Sequence, residues 1–193
     1  MKSQHPFVVN QPILQGLYET TFCKALSFLE VEGIESDDPD DRGSLTRFGI
    51  SQKSYPKLDI KNLTYEKAAE IYYSDYWCRN KCDQLVNQGF IELALMLFDA
   101  SVNHGSYGAA RFLQEILGVF PDGVIGNNTL TAINKFSGQR QYELICRYVI
   151  KRACLYSSLS HKYPSQQKFF KGWINRLNHI CEFIFDVSGG SHG

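Results

Sequence analysis

Glu32, Asp41 and Thr46 have the types and the spacing for acid-catalysed hydrolysis, in the order Glu-x8-Asp-x4-Thr. Glu32 closes an apolar run beside Gly33, with Val31 and Ile34 as neighbours. Partial desolvation there raises a carboxyl's pKa and keeps it protonated near neutrality, as a general acid requires. Asp41 lies in a polar loop with Asp37, Asp38 and Asp40, where hydration keeps it ionised and able to orient an attacking water. Thr46 can hydrogen-bond that water or the substrate. One protonated and one ionised carboxyl are what a glycosidic bond needs: a proton for the leaving oxygen and a group that manages the positive anomeric carbon. On residue types alone, the same positions also fit a surface glutamate, a turn aspartate before Arg42-Gly43 and a threonine suited to extended backbone. Glu30 and Glu35 compete for the acid's role. Glu30 falls on the other side of the helix and Glu35 follows the glycine into the loop, so both rank below Glu32.

The elements that must position these residues read as helices almost throughout. Phe22, Ala25, Leu26, Phe28 and Leu29 predict a first helix ending near Glu32-Gly33. Residues 34–62 read as loop, with a short hairpin around Leu45–Ile50 where Arg47-Phe48-Gly49-Ile50-Ser51 alternates. Thr64 predicts an N-cap for a second helix, with Glu66 in its first turn and Ala68, Ile71, Tyr72, Tyr76 and Trp77 along it. Asn87 to Asn103 is apolar on nearly every side and predicts a buried helix. Gly105 and Gly108 bracket a turn into a helix over 109–117, which Gly118 ends. Asp122-Gly123-Val124-Ile125-Gly126 is a tight turn, with Asn127, Asn128 or Thr129 capping the next helix. Helices over about 141–158 and 165–186 follow, separated at Pro164. The fold class predicted is all-α, with a small irregular or β element near residues 34–60.

Composition narrows the field. Thirteen Phe and eleven Tyr in 193 residues describe a globular chain with a sizeable core. Net charge is zero, so nothing draws the chain generally to nucleic acid or membrane. The charge is nevertheless segregated, with 10 Lys/Arg against 15 Asp/Glu in residues 1–100 and 10 against 5 in residues 101–193. From Lys135 to Arg176 the only acid is Glu143, which fits either a solvated helix face or a surface turned toward an anionic cell-wall polymer. The six cysteines are scattered, and only Cys78-x3-Cys82 is close. Buried thiols made in a reducing compartment are the simplest reading, and neither zinc nor another cofactor is expected. His5, His104, His161, His179 and His192 are isolated, which argues against a zinc amidase or peptidase. Residues 1–11 lack the apolar stretch of a signal peptide, and no window is long enough to span a membrane.

Several motifs in order resemble one family. The segment Glu32-Gly33-Ile34 … Asp38-Pro39-Asp40-Asp41-Arg42-Gly43 … Thr46-Arg47-Phe48-Gly49-Ile50-Ser51 is similar to the hallmark of glycoside hydrolase family 108, N-acetylmuramidases with a Glu-Gly-Gly acid motif before a D-x-G-G-x-T-x-x-G-I-T run. The resemblance continues through Ile71-Tyr72-Tyr73-Ser74-Asp75-Tyr76-Trp77 and Phe98-Asp99-Ala100-Ser101-Val102-Asn103-His104-Gly105. Leu113-Gln114, the turn at Asp122 to Leu130, and Gly172-Trp173-Ile174-Asn175-Arg176 then resemble that family's C-terminal peptidoglycan domain. Ile34 and Ser44 depart from the pattern, each standing where the family has a glycine.

The resemblance implies a lysozyme-like muramidase cutting the β-1,4 bond from N-acetylmuramic acid to N-acetylglucosamine in peptidoglycan glycan strands. It places the general acid at Glu32 and gives Asp41 and Thr46 the positioning of water or substrate. Tyr76, Trp77, Asn103 and His104 are the candidate substrate contacts, Tyr76 and Trp77 by stacking on sugar faces. The implied organisation is an N-terminal extension (1–18), a catalytic lobe (19–95), a helical peptidoglycan-binding-like lobe (96–187) packed with it as one globular unit, and a flexible tail (188–193). A monomer is expected. Made without a signal peptide, such an enzyme would reach the periplasm or cell wall through a holin, as an endolysin. Delivery by a secretion machine is the other route, and an effector of that kind would have an immunity or inhibitor protein as partner. Two other readings stay open: a cell-wall-binding module with little or no activity, and a lytic transglycosylase, which needs one acid and no positioned water.

Overall fold

The computed structural model describes residues 17–29 and 45–189. Glu30, Glu32, Ile34, Glu35, Asp41 and Ser44 therefore lie outside the described residues, as do most of the N-terminal extension and the end of the tail. The described chain is mainly helical, with one small hairpin, as the periodicity predicts.

Helix α4 (Ile91–Leu117) is the axis of the fold. Every residue from Glu92 to Ser101 is buried, and Leu93, Ala94, Met96 and Leu97 are wholly so. A helix apolar on all sides has to be covered on all sides. The cover comes from α1 (Leu17–Phe28), α3 (Cys82–Asn87), α5 (Asn127–Asn134), α6 (Arg140–Lys162) and α7 (Phe170–Gly189). At Gly105 the backbone leaves helical geometry (φ 76°, ψ 149°), so α4 is two helical stretches joined at a kink there, and the break predicted between Gly105 and Gly108 is confined to Gly105. Gly118, at φ 69°, ends it in the left-handed conformation expected of a helix-terminal glycine.

Helix α1 is fixed by rings. Phe22 packs edge-on against Tyr73, Trp77 and Phe98, at centroid distances of 5.1, 5.5 and 5.9 Å. At the other end of α1, Phe28 lies 4.9 Å from Phe183 of α7 and under the Arg176 guanidinium. The described chain thus leaves α1 beside α7 and re-enters at Leu45.

Thr64 caps α2 (Tyr65–Ile71) as predicted, its hydroxyl accepting from the Lys67 amide at 3.3 Å. The helix does not continue to Trp77 as an α-helix. Tyr72–Cys78 is wound as a π-helix, whose i to i+5 repeat carries both Tyr72 and Trp77 into the core. Buried Asn80 closes it by donating to the Tyr76 carbonyl at 3.0 Å. The short α3 was not legible in the sequence. It ends at Asn87, where the predicted apolar helix was to begin, and Gly89 (φ 81°) turns the chain into α4.

In the second half Gly126, not Asn127, Asn128 or Thr129, occupies the N-cap of α5. Gln114 explains this. It is 1 % exposed, donates to Asp122, the Val124 carbonyl and Thr129, and accepts from the Gly123 amide, so Thr129 faces inward. Pro164 does break the chain as predicted, but residues 164–169 form a 3₁₀ segment before α7. None of the six cysteines is disulfide-bonded, and Cys146 and Cys154 are exposed on α6, contrary to the expectation of burial. No helix among the described residues is long and apolar enough to cross a membrane.

Candidate active site

Thr46 is the member of the proposed triad that lies among the described residues, and a rigid hairpin carries it. Strands β1 (Thr46–Arg47) and β2 (Ile50–Ser51) pair antiparallel, with Thr46 opposite Ser51 and Arg47 opposite Ile50. Phe48 and Gly49 form a two-residue loop with φ of +51° and +73°, the backbone a type I′ turn demands. A phenylalanine in that region is strained by about 1–2 kcal/mol. What holds it is Tyr72, whose hydroxyl donates to the Phe48 carbonyl at 3.0 Å, and Tyr65, whose ring meets Phe48 edge-on. Burial pushes the Tyr72 pKa up, so the hydroxyl stays a donor at any ordinary pH. Gly49 is required as well, because a Cβ there would come within 2.5 Å of the Tyr72 hydroxyl. The Arg47 guanidinium donates to the Lys61 carbonyl and ties the hairpin to the loop beyond it.

The π-helix supplies a second polar group beside the hairpin. The Asp75 carboxylate accepts from the Tyr55 hydroxyl and from Ser74, each at 2.9 Å. The Asp75 carbonyl accepts from Ser106 at 2.9 Å, one residue past the α4 bend. Burial, and then hydrogen bonding with Tyr76 and Asp75, push the Tyr55 pKa far up. Tyr76 is half-buried, its ring 5.6 Å from Tyr72. Trp77 is 0 % exposed and packs edge-on against Phe22 and Phe98, so it presents no face to a sugar; its work is in the core.

A third group surrounds Asp99, which sits in the buried stretch of α4 and is 1 % exposed. Arg176 donates through Nε (2.9 Å) and lies with Nη2 at 2.8 Å from Oδ1, while Arg152 Nη1 is 2.7 Å from Oδ2. Burial works against the Arg152 charge, but Asp99 and Tyr156 more than offset it and hold its pKa above the ordinary arginine value. Asn103, exposed one turn on, donates to the Asp99 carbonyl at 2.7 Å. His104 Nε2 lies 3.0 Å from the Tyr156 hydroxyl, to which Arg152 donates at 3.1 Å. Asn103 and His104 are therefore brought together, both on the cluster that organises Asp99. Of the basic residues between Lys135 and Arg176, Arg152 is wholly buried, not part of a solvated face.

His104 gives the cluster a pH dependence. Burial and the Arg152 charge push its pKa down to about 4 from 6.5, against an upward pull from Asp99. The folded protein then resists protonation that the unfolded chain accepts. Stability from this source is complete above pH 6.5 and is lost as pH falls toward 4. Allowing for partial exposure, the loss is about 2 kcal/mol. Urea unfolding of wild type and His104→Leu between pH 7 and 4 should show the histidine's share of the slope absent from the variant.

Comparison with known proteins matches this arrangement in two segments. Residues 26–105 match the family model Glycosyl hydrolase 108, and residues 108–178 match the Predicted Peptidoglycan domain. The structure of Brucella abortus SagA is similar, at 28 % identity and TM-score 0.72 over 87 % of this chain and 95 % of that one. No curated protein matches. A mainly helical lysozyme-like fold with these two segments defines a glycoside hydrolase acting on peptidoglycan. Residues 26–105 thus form a glycosyl hydrolase 108 domain, and residues 108–178 a predicted peptidoglycan domain.

The two segments meet on α4, just past its bend at Gly105. Asp99 belongs to the first, Arg152 and Arg176 to the second, so the buried ion cluster fastens hydrolase segment to peptidoglycan segment. Sequence reasoning picked out Asn103 and His104 but not Asp99, Arg152 or Arg176 as members of one group. A signal was available: a carboxylate inside an otherwise apolar helix needs a cationic partner.

Proposed function

We propose that this chain is an N-acetylmuramidase, cleaving the β-1,4 bond from N-acetylmuramic acid to N-acetylglucosamine. Glu32 protonates the leaving oxygen, and Asp41 and Thr46 hold the water and substrate. The observation that carries this reading is the glycosyl hydrolase 108 match across residues 26–105, a span that includes all three residues. The pinned hairpin supports it. Thr46 stands on backbone fixed by Tyr72 and Gly49, and a group that orients water must not move. Tyr76, half-buried, and Asn103, exposed, are the substrate contacts we favour, with His104 ordering Asn103's neighbourhood through Tyr156.

The biological setting that fits is lysis of a bacterial wall, either from within after release through a holin or in a neighbouring cell after delivery by a secretion machine. An effector of the second kind would be neutralised in its producer by an immunity protein. The activity is tested by digesting purified sacculi, reducing the products with borohydride and identifying the reduced sugar. Muramicitol is the expected product; glucosaminitol would indicate cleavage of the other glycosidic bond.

A further inference from the structure

The peptidoglycan domain carries a depression lined by none of the residues proposed for hydrolysis. Between the C-terminal end of α6 and the 3₁₀ segment lies an open depression of about 420 Å³, lined by Ser157, Ser160, His161, Pro164, Gln167 and Phe170. That volume is within the range of ligand clefts, and the lining combines hydroxyls, an imidazole and an amide with one ring. Tyr163 and Phe169, exposed by 46 % and 45 %, stand at the two ends of the 3₁₀ segment. Phe169 continues a row of rings, 6.2 Å from Trp173, which is stacked at 5.3 Å on Tyr156. The row therefore anchors the rim to the buried Arg152 cluster.

The charge around it has one sign. Lys162 and Lys168 lie over the Tyr163 and Phe169 rings, at 5.3 and 5.0 Å from their centroids. With Lys171 they are exposed and have no acidic partner among the described residues, whereas Arg140, Arg147 and Lys151 are paired with Glu143 or Glu115. No Asp or Glu occurs between Glu143 and Glu182. Solvated lysines that shield a protein surface are normally interspersed with acids; these are not.

We infer that this depression is a second glycan-binding subsite, which grips a peptidoglycan strand by its sugar rings and by the free carboxylates of its stem peptides. Hydroxyl and amide groups of the lining meet sugar hydroxyls, the exposed rings meet sugar faces, and the three lysines meet stem carboxylates. The inference rests on the peptidoglycan reading of the domain, but not on which bond is cut. The subsite holds the enzyme on an insoluble, anionic wall while the hydrolytic site works on a neighbouring stretch of strand.

The test compares wild type, Phe169→Ala and the double variant Lys162→Gln/Lys168→Gln. Each is measured for co-sedimentation with purified sacculi free of other wall polymers, and for cleavage of short soluble glycan oligomers. The altered side chains are exposed, circular dichroism checks that each variant is folded, and the double lysine variant, which removes no packed ring, carries the test on its own if Phe169→Ala does not fold. Binding to sacculi should weaken about tenfold in each variant, while turnover of soluble oligomers stays at the wild-type rate. Sacculi stripped of stem peptides by an amidase should hold wild type no better than the double variant. Variants that sediment like wild type would overturn the subsite, as would stripped strands that bind wild type undiminished. A protein that cuts no glycan yet shows the binding differences would sink the muramidase reading and leave the subsite standing.

Discussion

Replacing Glu32 with glutamine should reduce release of muramic-acid ends from sacculi by about 10²–10⁴-fold, the range expected for losing a general acid. Glutamine keeps the shape and the hydrogen-bonding reach but has no proton to give the leaving oxygen. Binding to the wall should be unchanged, because the depression at α6 and the peptidoglycan domain are untouched. Glu30→Gln and Glu35→Gln should remain active, since those carboxylates have no place in the Glu-x8-Asp-x4-Thr pattern. Sacculus digestion by the three variants at equal concentration checks this. Equal activity in Glu32→Gln would move the acid elsewhere.

The second large effect concerns stability. Asp99→Ala should destabilise the protein by about 3–5 kcal/mol, the usual result of leaving a buried charge without its partner. Arg152 is 0 % exposed and has no water to turn to, while Arg176 keeps a third of its side chain in solvent. Arg176→Gln should therefore cost less than Arg152→Gln. Urea unfolding of the three variants gives the order directly. A loss under about 1 kcal/mol for Asp99→Ala would mean that the cluster opens to water when the aspartate is gone. Because Asp99 is held from the other family segment, its variant should also separate the two segments' unfolding transitions, which in wild type should coincide.

The fold was largely legible because its signals are local. Thr64 capping α2, Gly118 ending α4 and Pro164 breaking the last two helices each act through backbone chemistry within a turn or so. What escaped depended on distant partners. The π-winding of Tyr72–Cys78 follows from the need to bury Tyr72 and Trp77 together against Phe22 and Phe98, and nothing within the segment announces it. Trp77 looked like a sugar platform for the same reason: a ring on a helix gives no sign of which side is covered. Gly126 displaced Asn127, Asn128 and Thr129 as the cap of α5 because Gln114, more than ten residues away, captures Thr129. Of the site itself, Thr46, Tyr76, Asn103 and His104 were legible as candidates, and their grouping was not. Asp99 to Arg176 spans 77 positions, and periodicity carries no information over that distance.

The most direct test of the hydrolase account is digestion of sacculi by wild type in ¹⁸O-labelled water, with mass spectrometry of the glycan ends. Hydrolysis through a water held by Asp41 and Thr46 should place one ¹⁸O at every new reducing N-acetylmuramic acid. Products ending in 1,6-anhydro-muramic acid without label would show that the muramic acid's own hydroxyl attacks, and would contradict the positioned water. No new ends, from a folded protein that still sediments with the wall, would contradict catalysis itself.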